Sequence, residues 1–293
     1  MFVRPDLTEH TELAEHVPSV DPNYHFVPEV ERAILAGFEH NRRVLVQGLH
    51  GTGKSTHIEQ VAARLGWPLL RINLDGHLTR MDLVGRDAIV LIDGQPTTTF
   101  VEGLLPWALQ RPVAVVFDEY DAGRPDVMFV IQRLLERDGK FTLLDTNRVM
   151  TPHPQFRLFA TANTVGLGDG SGLYRGTQVL NQAQVDRWNI VARLDYLEPE
   201  VEARVVMGQV PDFEHRPEAE IEMQQMVALA GLVRHGFAAG DLSTVMSPRT
   251  IISWAENLVT FGDIATAFRL SFANKCDPAE LPILDEYYQR AFG

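Results

Sequence analysis

Arg43-Val44-Leu45-Val46-Gln47-Gly48-Leu49-His50-Gly51-Thr52-Gly53-Lys54-Ser55-Thr56-His57-Ile58 is the stretch whose reading decides the fold. Its first five residues read as a buried strand. Gly48 to Ser55 fits G-x-x-x-x-G-K-[ST], a loop whose glycines let backbone N–H groups turn inward around phosphates. Ile58, Val61, Ala62 and Leu65 then fall at i, i+3, i+4 and i+7, so a helix starts directly behind the loop and aims its positive end at the ligand. Lys54 adds a mobile cation for the outer phosphates, and Ser55 offers a hydroxyl to Mg²⁺. A flexible loop with an incidental lysine is the plain alternative; the strand before and the helix after argue against it.

Working outward, Val113-Ala114-Val115-Val116-Phe117 is an apolar run ending in Asp118-Glu119, the pattern of a parallel strand buried on both faces. Acidic residues can simply cap a strand end. Behind a phosphate loop, however, Asp118 is placed to hold Mg²⁺ through water and Glu119 to activate an attacking water. Leu69 to Leu74 and Phe156 to Thr161 read as further strands, the latter ending at Ala162-Asn163. Segments 88–101 and 141–150 read as hairpins turning at Asp93-Gly94 and Asp145-Thr146-Asn147. Helical spacing precedes the first strand (Val30, Ile34, Leu35, Phe38) and follows Asp118-Glu119 (Val127, Ile131, Leu134, Leu135). Strands alternating with helices imply an α/β fold with a parallel sheet flanked by helices. Beyond about residue 200 the pattern turns helical, with Met226, Leu229, Ala230 and Val233 on one helix. Ser247-Pro248 opens another, with Ser247 as N-cap. The expected division is an arm at 1–25, an α/β core at 26–198 and a helical domain at 199–293.

Composition narrows the function classes. Of 293 residues, 45% are hydrophobic and 22% charged, a globular balance. No stretch approaches the ~20 apolar residues of a bilayer span, and the N-terminal residues lack a basic head followed by an apolar run, so the expectation is a cytoplasmic protein without membrane contact. The single cysteine, Cys276, excludes an intramolecular disulfide and a Cys-based zinc site. The ten histidines include no H-E-x-x-H. A charge of 26 − 39 = −13 argues against a nucleic-acid partner.

Three motifs point elsewhere. Asp82-Leu83-Val84-Gly85 fits D-x-x-G and Asn274-Lys275-Cys276-Asp277 fits N-K-x-D, which together would suggest a GTPase. The first follows no strand and the second lies in the helical region, so neither has the context to work. Asp169-Gly170-Ser171 resembles part of an Asp-x-Ser-x-Ser metal site but lacks its second serine.

The order of phosphate loop, Asp-Glu strand, Ala162-Asn163 and Asp186-Arg187-Trp188 resembles an AAA+ ATPase, and the two hairpins resemble the inserts of its MoxR and chelatase branch. The stretches Val46 to Gln60, Phe117 to Gln132, Phe156 to Asp169 and Gly240 to Arg249 are similar to the small AAA+ subunit of aerobic cobaltochelatases, from about residue 22 onward. That resemblance implies an AAA+ P-loop core, two β-hairpin inserts and a C-terminal helical lid. It implies ATP and Mg²⁺ as ligands, with Gly48, His50, Gly51, Thr52, Gly53, Lys54, Ser55 and Thr56 at the nucleotide and Ser55 and Asp118 at the metal. Glu119 is implied as the base, Asn163 as sensor 1, Arg187 as an arginine finger for a neighbouring subunit, and Arg249 as sensor 2. Tyr24 and Phe26 would lie against the adenine. Implied partners are further copies in a ring, a hexamer, together with a large catalytic subunit and a second AAA+ subunit carrying an integrin-I-type domain. A MoxR-type chaperone for another metalloenzyme would share all these residues, and a nucleotide-switched scaffold without turnover is the non-enzymatic alternative.

Overall fold

Apolar residues along the strands alternate between two destinations, and that alternation builds the sheet. A computed structural model describes residues 4–75, 77–136, 139–163 and 182–293. They fall into two compact units. The first comprises Met1–Asp21, Phe26–Gly48 and Gly53–Leu194. It runs through α1 (Pro28–His40), β1 (Val44–Gln47), α2 (Lys54–Leu65), β2 (Leu69–Asn73), α3 (Arg80–Val84), β3 (Gly85–Ile92) and β4 (Gln95–Glu102). Then follow α4 (Leu104–Leu109), β5 (Ala114–Asp118), α5 (Pro125–Leu135), β6 (Phe141–Leu143), β7 (Arg148–Met150), β8 (Arg157–Ala162), α6 (Gln182–Val185) and β9 (Ile190–Arg193).

Five strands form a parallel sheet in the order β2-β5-β8-β1-β9. Leu45, Val115, Phe117, Leu158 and Ala160 enter one core with α3, α4 and α5. Their neighbours Val44, Val46, Ala114, Val116 and Phe159 enter another with α1 and α2. Burial on both faces explains the unbroken apolar runs. Gly37 lets α1 approach closely: a Cβ there would lie 2.6 Å from the Phe159 ring.

Both expected hairpins form. β3 and β4 pair antiparallel with Ile92 opposite Gln95, and Asp93 and Gly94 turn at φ 51° and 78°. Positive φ at both centres is the turn whose twist suits a two-residue connection. β6 and β7 pair more briefly. The D-x-x-G segment is a helix start: Asp82 accepts from the Thr79 N–H (3.0 Å) and hydroxyl (2.6 Å), a capping box on α3. Asp277 of the N-K-x-D match accepts from the Ala279 N–H and caps a short turn. The Asp169-Gly170-Ser171 motif lies outside the described residues.

The second unit comprises Pro22–His25, Leu49–Thr52 and Asp195–Gly293. It holds α7 (Pro199–Gln209), α8 (Ala219–Ala239), α9 (Pro248–Phe261), α10 (Ile264–Ser271) and α11 (Leu281–Phe292) around Met223, Met226, Val233, Trp254 and Phe268. The segment expected as one arm therefore divides. Residues as far as Asp21 are tied to α2, where Gln60 Oε1 accepts from the Asp21 N–H at 2.8 Å and Arg64 donates to the Asp21 carbonyl at 2.7 Å. Pro22–His25 belong to the helical unit, where Asn23 donates to the Gly208 carbonyl. Ser247 occupies the N-cap position of α9, but its hydroxyl makes no capping bond; it lies 3.3 Å from the Thr250 hydroxyl. No described helix is long and apolar enough to cross a membrane.

Candidate nucleotide site

In a parallel sheet the carboxyl ends of neighbouring strands converge on one edge, where ligands bind. Here β1 delivers Gly48, β5 delivers Asp118 and Glu119, and β8 delivers Asn163 to that edge. Gly53, at φ 89°, turns the chain into α2, so that Lys54 and Ser55 stand on the first helical turn, with Thr56 half-buried behind them. Lys54 is only 8% exposed. Its Nζ donates to the Gly48 carbonyl and to Asn163 Oδ1, both at 2.9 Å. Burial pushes its ammonium down to about 8, against the opposing pull of Asp121, Asp118 and Glu119.

Asp118, 6% exposed, is the hub. Its Oδ1 accepts from the Ser55 hydroxyl at 2.6 Å and the Thr161 hydroxyl at 2.8 Å. Its Oδ2 accepts from Arg71 Nε at 2.7 Å, and Arg71 also reaches Glu59 at 2.8 Å. A hydroxyl beside a carboxylate is an all-oxygen donor pair, and it leaves most of an octahedral shell to phosphate and water. That fits Mg²⁺, which keeps its waters and takes few protein ligands.

Glu119 sits in the left-handed region, φ 56° and ψ 46°. A non-glycine residue there is strained by about 1–2 kcal/mol and is held by its surroundings. Its N–H donates to the Thr161 hydroxyl at 3.3 Å, and its carbonyl accepts from the Ala122 N–H at 2.7 Å. Thr161 thus fixes Asp118 and Glu119 together. Asp121, fully buried, accepts from the Asn163 N–H at 3.1 Å and secures the end of β8.

Within the helical unit, the crown of the loop is also fixed. The Tyr196 hydroxyl donates to the His50 carbonyl at 2.8 Å, and the Thr52 hydroxyl to the Leu49 carbonyl at 3.0 Å. Gly51, at φ 76°, lies so close to Ser247 that an added Cβ would meet the Ser247 Cβ at 2.3 Å. Arg249 is exposed on the first turn of α9. Tyr24 lines a hollow of about 250 Å³ with Val201, Arg204 and Val205.

In the α/β unit, Phe26 meets the His57 ring edge-on at 5.5 Å, with the Arg64 guanidinium 4.8 Å from its centroid. His57 Nε2 accepts from the Val27 N–H at 3.0 Å, a local role for this loop-flanking histidine. Arg187 Nε lies 3.0 Å from Glu136 Oε1. Arg71, Thr161, Asp121 and Tyr196 escaped sequence reasoning. Thr161 and Asp121 stood inside the stretches that carried the family resemblance, but nothing local gives the partners of Arg71 or Tyr196.

Residues 43–187 match the AAA domain family of the dynein-related subfamily. The RuvB branch-migration motor of Thermotoga maritima superposes with a TM-score of 0.52 at 13% identity, over 83% of this chain and 67% of that one, a likeness of fold alone. Fold and loop are those of the AAA+ class of P-loop ATPases. Over 278 residues the chain is 63% identical to the aerobic cobaltochelatase subunit CobS of a Sinorhizobium species, covering 95% of this chain and 83% of that one. The chain belongs to the family of that CobS subunit. It is also 26% identical to the denitrification regulatory protein NirQ of Pseudomonas aeruginosa, over 93% of this chain and 96% of that one.

Proposed function

We propose that the chain is the ATP-hydrolysing ring subunit of an aerobic cobaltochelatase. It acts in the cytoplasm as a homo-oligomeric ring, a hexamer. It drives a large catalytic subunit, with a second AAA+ subunit carrying an integrin-I-type domain, to insert Co²⁺ into hydrogenobyrinic acid a,c-diamide. The likeness to CobS along nearly the whole chain carries this reading. Lys54, Ser55, Asp118, Glu119 and Asn163, all present and gathered on one sheet edge, support turnover rather than a passive scaffold. Mg²⁺, when bound, would supply charge compensation for the phosphates; Ser55 and Asp118 would hold it. Glu119 takes the proton of the attacking water, Asn163 orients that water or the γ-phosphate, and Lys54 meets the outer phosphates once released from Gly48 and Asn163. Arg249 and the Arg187 of a neighbouring copy act on the same nucleotide, with Tyr24 and Phe26 on its adenine.

The test is reconstitution with the large and second AAA+ subunits. Cobalt insertion should require ATP and should vanish with Lys54→Ala, because the loop loses its cation toward the phosphates. Insertion without ATP, or undiminished with Lys54→Ala, would overturn the proposal.

A pH signature follows from the depressed Lys54. Burial disfavours its charged form in the free protein, and a bound polyphosphate favours it again. As pH rises through about 8, the free site loses its proton, so binding must take one up and affinity must fall. Calorimetry of ADP binding in buffers of different ionisation enthalpy should show proton uptake growing across that range, absent in Lys54→Met. Wild-type uptake that stays at zero contradicts this.

A further inference from the structure

We infer that a Glu202–Arg234–Tyr196 stack in the helical unit positions the crown of the phosphate loop, making Arg234 and Tyr196 positioning residues for nucleotide binding; this rests on the function proposed above. The crown, Leu49–Thr52, belongs to the helical unit. Glu202 on α7 is 1% exposed, and a carboxylate so deep must be paired. Its partner is Arg234 on α8, joined in a two-pronged fork with Nη1 to Oε2 at 2.7 Å and Nη2 to Oε1 at 2.6 Å. Such a fork fixes the guanidinium plane as well as its place.

The fixed plane is used twice. Its face lies 3.9 Å from the centre of the Tyr196 ring, a stacked cation–π contact. That ring's hydroxyl donates to the His50 carbonyl at 2.8 Å. The remaining edge of the guanidinium, Arg234 Nε, donates to the Met246 carbonyl at 2.8 Å. Met246 precedes Ser247, against which Gly51 is packed with no room for a Cβ. Two neighbouring points on the crown, the His50 carbonyl and the Gly51 α-carbon, are therefore both braced from one guanidinium. Arg249 follows three residues after Met246 and shares that anchorage through the start of α9. A loop that must present N–H groups to phosphate gains from such bracing, because less ordering is left to the binding step.

Tyr196→Phe removes one hydroxyl and keeps the ring on Arg234. It should melt close to wild type. Its dissociation constant for Mg-ADP, followed with a fluorescent anthraniloyl-ADP, should rise about three- to tenfold, the range for one lost hydrogen bond. Amide exchange of the nucleotide-free loop at His50 to Gly53 should accelerate. Arg234→Lys keeps the charge but loses the fork and the stack. It should weaken ADP at least as much, and adding Tyr196→Phe to it should cost little more. Wild-type ADP affinity and loop exchange in Tyr196→Phe would overturn the inference, whether or not Arg234→Lys folds. Lys54→Ala, measured alongside, separates the failures: if it too binds like wild type, the loop assignment itself has failed; if it alone loses ADP, only the bracing has.

Discussion

Arg187→Ala should bind ATP nearly as wild type does and hydrolyse it about 10³–10⁵-fold more slowly, a loss of roughly 4–7 kcal/mol of transition-state stabilisation. An arginine that enters a neighbour's site must be able to leave its own chain. Its ion pair with Glu136 is suited to that: the side chains are 33% and 43% exposed, and such surface pairs contribute only about 0–1 kcal/mol. The trans role has a signature that a local structural role lacks. Lys54→Ala subunits keep the finger, and Arg187→Ala subunits keep the phosphate loop, so a mixed ring contains interfaces with one intact half from each. Phosphate release by the mixture should exceed that of either mutant alone. A mixture as inactive as its parents, in rings shown to contain both, would remove the finger from Arg187.

Glu119→Gln should retain Mg-ATP and stall. Amide for carboxylate keeps the shape and hydrogen-bonding reach at this strained backbone position, but removes the group proposed to accept water's proton, a role that contributes about 10²–10⁴ in rate. Asp118 keeps its hydroxyl donors, so the position proposed for Mg²⁺ is undisturbed. With hydrolysis blocked, nucleotide that bridges two subunits stays bound, and mass action favours assembly. Light scattering after size exclusion should find a larger, longer-lived oligomer in ATP than wild type forms, and ADP should not reproduce it. A variant that stays monomeric in saturating ATP would sink the ring motor and revive the scaffold.

What could be read from the sequence follows how local each interaction is. β1, the glycine loop and α2 form one continuous stretch, and each step is dictated by its own residue types. The Asp93-Gly94 turn is equally local. β9 was missed because Ile190–Arg193 is a four-residue edge strand with only Ala192 buried, and its pairing with β1 joins residues far apart in the chain. The site divides the same way. Lys54, Ser55, Asp118 and Glu119 announce themselves by motif. Arg71 reaches Asp118 only because β2 lies beside β5, and Arg234 braces the loop only because α7 and α8 pack together. Ser247 was legible as a helix start, but its place beside Gly51 is a matter of tertiary packing.

The setting of Asp118 bears on how ligands relate to folding. Its negative charge is buried, yet two hydroxyls and a guanidinium already satisfy both its oxygens from within the chain. Asp118 is thus not an uncompensated anion that waits for a cation to complete it, unlike the ligands of small metal-nucleated domains whose structure depends on their ion. Ligand entry here is an exchange of partners on a finished scaffold. In the proposed ring, the free energy of nucleotide binding would then be available for pulling subunits together and reshaping them, rather than being absorbed in making each subunit fold.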